Sequence, residues 1–113
     1  MSEFTDHLAE LFEAFGPVTV RRMFGGYGIY RDGVMFGLVA DEALYLKADD
    51  RNRAMFESCG LPRFEYAKQG KTISVSYYLA PGEALEDPRI LADWARLAFE
   101  AALRGRRTAG KAR

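Results

Sequence analysis

Asp32-Gly33, set inside the run "GIYRDGVMFGLVA", constrains this chain more than any other pair of residues. A two-residue hairpin of type I′ needs φ > 0 at both central positions, and Asp-Gly is among the pairs that accept it at least cost. The apolar runs on either side are therefore expected to be antiparallel neighbours. Asp41-Glu42 marks a second reversal before "ALYLK", and "VTVRRMF" precedes the first, so residues 18 to 47 read as three or four strands in sequence. Two further strands, "RFEYA" and "TISVSYYLA", meet at Lys68-Gln69-Gly70-Lys71.

Helical spacing frames these strands. Phe4, Leu8, Leu11, Phe12 and Phe15 fall on one stripe with acidic residues opposite, and Gly16-Pro17 ends the pattern. Asp49 or Asp50 can cap a short helix containing Met55 and Phe56, stopped by Gly60 and Pro62. Asp87 as N-cap and Pro88 in the first turn open a last helix. Its Ile90, Leu91, Trp94, Leu97 and Ala101 face the core, and Glu100 pairs with Arg104 on the outside. Local connections of this kind favour a two-layer α+β domain, a single antiparallel sheet with helices packed on one face. We expect that domain over residues 1 to 103, with residues 104 to 113, "RGRRTAGKAR", as a mobile basic tail.

The 16 basic and 16 acidic residues cancel, but not evenly. Residues 1 to 103 carry an excess of five negative charges, and the last ten carry five basic residues and no acidic one. An acidic body is a poor non-specific DNA binder, since that affinity comes from Lys and Arg neutralising phosphates. Nucleic-acid contact is thus an alternative confined to Arg104, Arg106, Arg107, Lys111 and Arg113. Cys59 and His7 are the only residues of their types, which leaves no intrachain disulfide and no zinc constellation. With no basic-then-apolar leader and no long apolar span, the expected setting is the cytoplasm.

Enzyme chemistry finds no foothold. Gly25, Gly26 and Gly28 lie between two strand-like runs, whereas a dinucleotide fingerprint opens a helix after a strand. Gly70-Lys71-Thr72 copies the end of a phosphate-binding loop, but Glu65 stands where its first glycine belongs and a strand follows. Nothing brings Cys59 and His7 together as nucleophile and base; Cys59 reads as a half-buried helix end and His7 as a solvated residue. The carboxylate pairs Asp49-Asp50 and Glu86-Asp87 are accounted for by helix starts. No catalytic residue, cofactor or metal is assigned.

Strung together, "VRRMFGGYGIYRDGVMFGLVADEALYLKAD", "FESCGLPRFEYAKQGKTISVSYYLAPGEALED" and "LADWARLAFEAAL" resemble the N-terminal domain of the TfoX/Sxy family of bacterial competence regulators. The resemblance runs from about Phe4 to Leu103 and rests on the ordered segments R-x-M-F-G-G-x-G, L-Y-L-K, F-x-Y and S-Y-Y. It implies a compact α+β domain in a cytoplasmic bacterial protein. The family's competence members are described as transcriptional co-activators acting with the cAMP receptor protein, not as enzymes. They carry a second, helical domain, in whose place the expectation here is the basic tail.

The glycine-rich corner "RRMFGGYGIY" reads either as a hairpin corner alone, since turn chemistry accounts for its glycines, or as the candidate place where a partner touches. Gly25-Gly26 lets the chain turn or bulge, Met23 and Phe24 read as core anchors beneath it, and Arg22 and Tyr27 are of the types that carry interface energy most often. Alternate residues of a strand point to opposite faces, so Tyr77 and Tyr78 cannot share one aromatic platform. Lys47 and Tyr78, with Ser74 and Ser76, complete the candidate contact set on the sheet face without helices. The expected function is protein–protein contact in transcription regulation, and pairing of two copies through that face or an edge stays open.

Overall fold

The structure, a computed structural model, describes residues 3–23 and 25–111. Asp32 and Gly33 have φ of 51° and 78°, Asp41 and Glu42 of 50° and 57°, Gln69 and Gly70 of 52° and 77°. All three reversals read from the sequence thus have the paired positive φ of a type I′ hairpin. They organise six strands: β1 (Thr19–Met23), β2 (Gly26–Arg31), β3 (Val34–Ala40), β4 (Ala43–Lys47), β5 (Arg63–Lys68) and β6 (Lys71–Leu79). The strands form one antiparallel sheet in the order β1-β2-β3-β4-β6-β5.

The helices α1 (Glu3–Leu11), α2 (Arg53–Ser58) and α3 (Pro88–Lys111), with single 3-10 turns at Phe12–Ala14 and Gly82–Leu85, supply the second layer. Leu8, Leu11, Phe12, Phe56, Ala84, Leu91, Ala95, Ala98 and Ala102 join Ile29, Phe36, Val39, Leu44, Leu46 and Tyr78 in one buried cluster. Every helix therefore lies on the same side of the sheet, as the α+β reading requires. Asp87 caps α3 as expected: its carboxylate accepts the Arg89 backbone N–H at 2.9 Å, which holds its carboxyl below the ordinary range.

A bulge shapes the centre. Ile29 pairs with Gly37 but Tyr30 with Met35, which leaves Phe36 as the extra residue. Strict alternation would have turned either Phe36 or Val39 to the wrong side; the extra residue keeps Val34, Phe36 and Val39 all inward. Phe36 then meets three rings, those of Phe12, Phe15 and Phe99, at centroid distances of 5.7, 5.2 and 5.9 Å. Arg31 closes this group from the rim. Its guanidinium lies 4.5 Å from the Phe15 ring centroid and donates to the Phe15 carbonyl at 2.9 Å.

The end of the chain departs from expectation. The helix does not stop at Leu103 but continues to Lys111, running through Gly105 and Gly110 against their low helix propensity, and one anchor holds it where the tail was expected to begin. That anchor is Arg104, which is not paired with Glu100. It donates through Nε and Nη2 to the two carboxylate oxygens of Asp49, at 2.6 and 2.9 Å. Asp49 also accepts the backbone N–H groups of Arg51 and Asn52, so it organises the loop before α2. Buried Asn52 completes the knot, accepting the Asp49 N–H and donating to the carbonyls of Lys47 and Leu97.

This arrangement titrates. Hydrogen bonding to Arg104, aided by the two backbone N–H groups and opposed by burial, holds the Asp49 carboxyl at about 2, below its ordinary 3.8. A carboxylate favoured in the folded state contributes stability that is complete above about pH 4 and is lost as pH falls towards 2. Asp49→Asn is expected to cost about 1–2 kcal/mol at neutral pH, between a surface and a buried ion pair. It should also flatten the acid limb of the unfolding profile between pH 4 and 2, as read by urea titrations at each pH.

Candidate protein-contact site

Four of the six residues expected to contact a partner come together. Arg22, exposed on β1, is the cross-strand neighbour of Tyr27 on β2, and between them Gly25 turns at φ 79°. Arg22, Gly25, Gly26 and Tyr27 line an open concavity of about 300 Å³ at the end of this hairpin. Tyr27 packs against the core cluster, so one wall of the hollow is a seated aromatic side chain and the other an exposed guanidinium. Gly26 answers to a steric need and not only to turn geometry: a Cβ there would lie within contact radius of the Val39 carbonyl oxygen on β3.

The other two residues lie elsewhere. Tyr78 belongs to the core and not to a contact surface. It pairs with Leu46, stacks on Phe56 at 5.3 Å, is 4 % exposed and donates to Glu57 Oε2 at 2.8 Å. Burial first, and then the Glu57 carboxylate, raises its phenol above the ordinary value. Alternation along β6 takes Ser74 and Ser76 with it to the helix side, and the Ser76 hydroxyl donates to the Ala48 carbonyl. The ring that does occupy the bare face is Tyr77, the cross-strand partner of Lys47, whose Nζ sits 5.4 Å from its centroid. Burial and the nearby Tyr30 push the Tyr77 phenol up to about 12. Lys47 is thus on the opposite side of the sheet from the Arg22–Tyr27 pair.

Other expectations fall as follows. Met23 is no core anchor: alternation puts it on the bare face, where its Sδ lies over Gly28 beside Tyr30 and Met35. Phe24 lies outside the described residues. Cys59, expected half-buried, is exposed at the end of α2. Of the basic residues assigned to nucleic-acid contact, Arg104 is occupied by Asp49 and Arg106 is exposed on α3. Arg107 and Lys111 contribute helical backbone, their side chains being outside the described part, as is Arg113. The Asp49–Arg104 pair escaped the sequence reading because 55 residues separate its members. The Tyr77–Lys47 pair was within reach, since Tyr77 and Tyr78 had to take opposite faces and only the choice between them was missing.

Among the described residues, no three His, Cys, Asp or Glu side chains are grouped to hold a metal ion. Nor is any helix among them long and apolar enough to cross a membrane.

Comparison with known proteins agrees with this architecture. The family model for the TfoX N-terminal domain matches residues 10–102. The DNA transformation protein TfoX1 of Aliivibrio fischeri is 37% identical over 76 residues, covering 64% of this chain and 36% of that protein. Protein Sxy of Escherichia coli is 24% identical over 99 residues, covering 88% of this chain and 47% of Sxy. The chain thus spans between a third and a half of the length of these curated relatives. A match over most of its residues, with the turns and strands in the expected order, places the chain in the TfoX N-terminal domain family.

Proposed function

We propose that this chain is a non-enzymatic regulatory domain of the cytoplasm that works by holding another protein, and that it serves the DNA transformation for which its relative TfoX1 is named. The observation that carries the reading is the hollow of Arg22, Gly25, Gly26 and Tyr27. It joins a preorganised aromatic wall to a guanidinium, the combination that most often dominates binding energy at protein interfaces. A component of the transcription machinery is the partner this reading favours.

Affinity capture from bacterial lysate, comparing the intact chain with Arg22→Ala, tests it. Arg22 is exposed, so its replacement should shift stability by no more than about 0.5 kcal/mol. Tyr27→Ala is the less clean probe, because stripping a ring packed on the core costs stability as well as contact. The expected result is at least tenfold lower recovery of one defined partner with Arg22→Ala at an unchanged melting temperature. Equal recovery with both chains would exclude this corner.

A further inference from the structure

The side of the sheet that no helix covers is built unlike the rest of the molecule. Its middle, across β2, β3 and β4, is Tyr30, Met35, Leu38 and Tyr45, all half-buried by one another. Towards β5 the surface continues through Phe64, 4.9 Å from the Tyr45 ring, and Tyr66, which is 42 % exposed. Four cations share the face with this apolar middle. Arg21 lies over Tyr30 and Lys47 over Tyr77, and the register places Lys68 and Lys71 as a pair at the far hairpin, on the face of Tyr66 and Ile73. Glu65 is the sole acidic residue in the six strands, and alternation from Phe64 and Tyr66 turns it to the helix side. A chain with an acidic body therefore presents one face whose strands are apolar at the middle and carry only cations as charged groups, the bordering carboxylates being those of the exposed turns at Asp32, Asp41 and Glu42.

From this separation of charge we infer that the bare face docks an acidic, apolar-faced segment of a second protein. The inference deepens the interaction-domain reading and rests on it. An apolar centre within a charged rim is the anatomy of a protein interface, and Tyr, Met and Arg are the types enriched there. Methionine at the centre suits a surface that adapts to an extended apolar stripe. A second copy of the chain is disfavoured by charge, since two such faces would bring the four strand cations of each together. Single-stranded nucleic acid is opposed by geometry: bases stack on open ring faces, whereas here Arg21 and Lys47 cover two rings and Tyr45 is closed against Phe64. At about 4.8 Å per strand, six strands span roughly 25 Å, a distance that a helical segment of about 17 residues covers.

Three synthetic helical peptides of about that length provide the probe, alike in a Leu/Phe stripe and carrying Glu, Gln or Lys at the remaining positions. Their affinities for the full chain are read by fluorescence anisotropy. The Glu peptide is expected to bind at least tenfold more tightly than the Gln peptide, and the Lys peptide most weakly. The double substitution Lys68→Glu/Lys71→Glu, at two exposed positions, leaves Arg21 and Lys47 against two carboxylates and should abolish that order. Arg89→Glu, at the exposed start of α3, should leave it unchanged, with thermal melts verifying that all variants fold. Equal affinity for the three peptides, or an order indifferent to the Lys68/Lys71 reversal, would overturn the inference. So would displacement of the Glu peptide by an oligo-dT strand, or sedimentation showing the face closed by a second copy. If the peptides bind alike while lysate capture still depends on Arg22, only the docking assignment falls. If they bind in the expected order while capture ignores Arg22, the face stands and the corner falls.

Discussion

Gly26→Ala is expected to cost this domain about 3 kcal/mol or more, at the upper end of what overpacking produces. The added methyl would be directed at the Val39 carbonyl oxygen, which belongs to backbone in the middle of the sheet and has no rotamer to escape into. Relief requires β2 and β3 to separate near the Tyr27–Val39 pair, and that would also loosen the seat of the Tyr27 ring. Gly25→Ala is the matched control. A Cβ there meets nothing within 4 Å, so the penalty reduces to that of a left-handed backbone, about 1 kcal/mol. Urea unfolding of the two variants separates the explanations: similar midpoints would mean that turn geometry alone accounts for both glycines, and a much lower midpoint for Gly26→Ala identifies the close approach of strands.

Phe36→Ala is expected to destabilise by about 3–5 kcal/mol, the cost of removing a fully buried aromatic ring and leaving a cavity. Several features put it high in that range. The ring packs on three other aromatic rings, two of them edge-to-face, which lose their common partner together. It also sits on the bulged residue, where a smaller side chain removes the reason for the bulge and invites a register shift of β3. Because Phe15 and Phe99 hold the Arg31 guanidinium between them, the variant should loosen the link between β2 and the end of the first helical segment. Thermal unfolding gives the magnitude, and amide exchange at Phe15 and Gly16 reports the loosening. A loss below about 1.5 kcal/mol would show that α1 and α3 collapse into the space.

Wherever the information is local, the fold could be read in the amino-acid order. The three hairpins need positive φ at adjacent residues, and Asp32-Gly33, Asp41 and Gly70 are of the types that tolerate it, although Glu42 and Gln69 take it as well. Asp87 and Pro88 announce the start of α3 in the same way. Legibility fails where geometry depends on partners far along the chain. Nothing near Arg104 says that its carboxylate is Asp49 and not Glu100, and the continuation of α3 past Leu103 follows from that choice. The faces of β6 depended on a single binary decision. Tyr77 and Tyr78 had to part, but only the pairing of Leu46 with Tyr78 and Lys47 with Tyr77 says which goes inward. Of the candidate contact residues, the four contiguous ones could be grouped from sequence because one hairpin holds them; Lys47 and Tyr78 required the sheet.

The arginine doublet at the head of the glycine-rich corner gains a second meaning from its place in the strand order. β1 is an outermost strand, with one row of backbone N–H and C=O groups turned away from the sheet. Successive residues alternate, so Arg21 guards the bare side and Arg22 the helix side of that open row. A strand from another molecule trying to extend the sheet would have to bury a guanidinium whichever way it approached. The two arginines thus oppose runaway strand addition along this edge, while leaving the end of the hairpin and the broad surface of the sheet open to a partner.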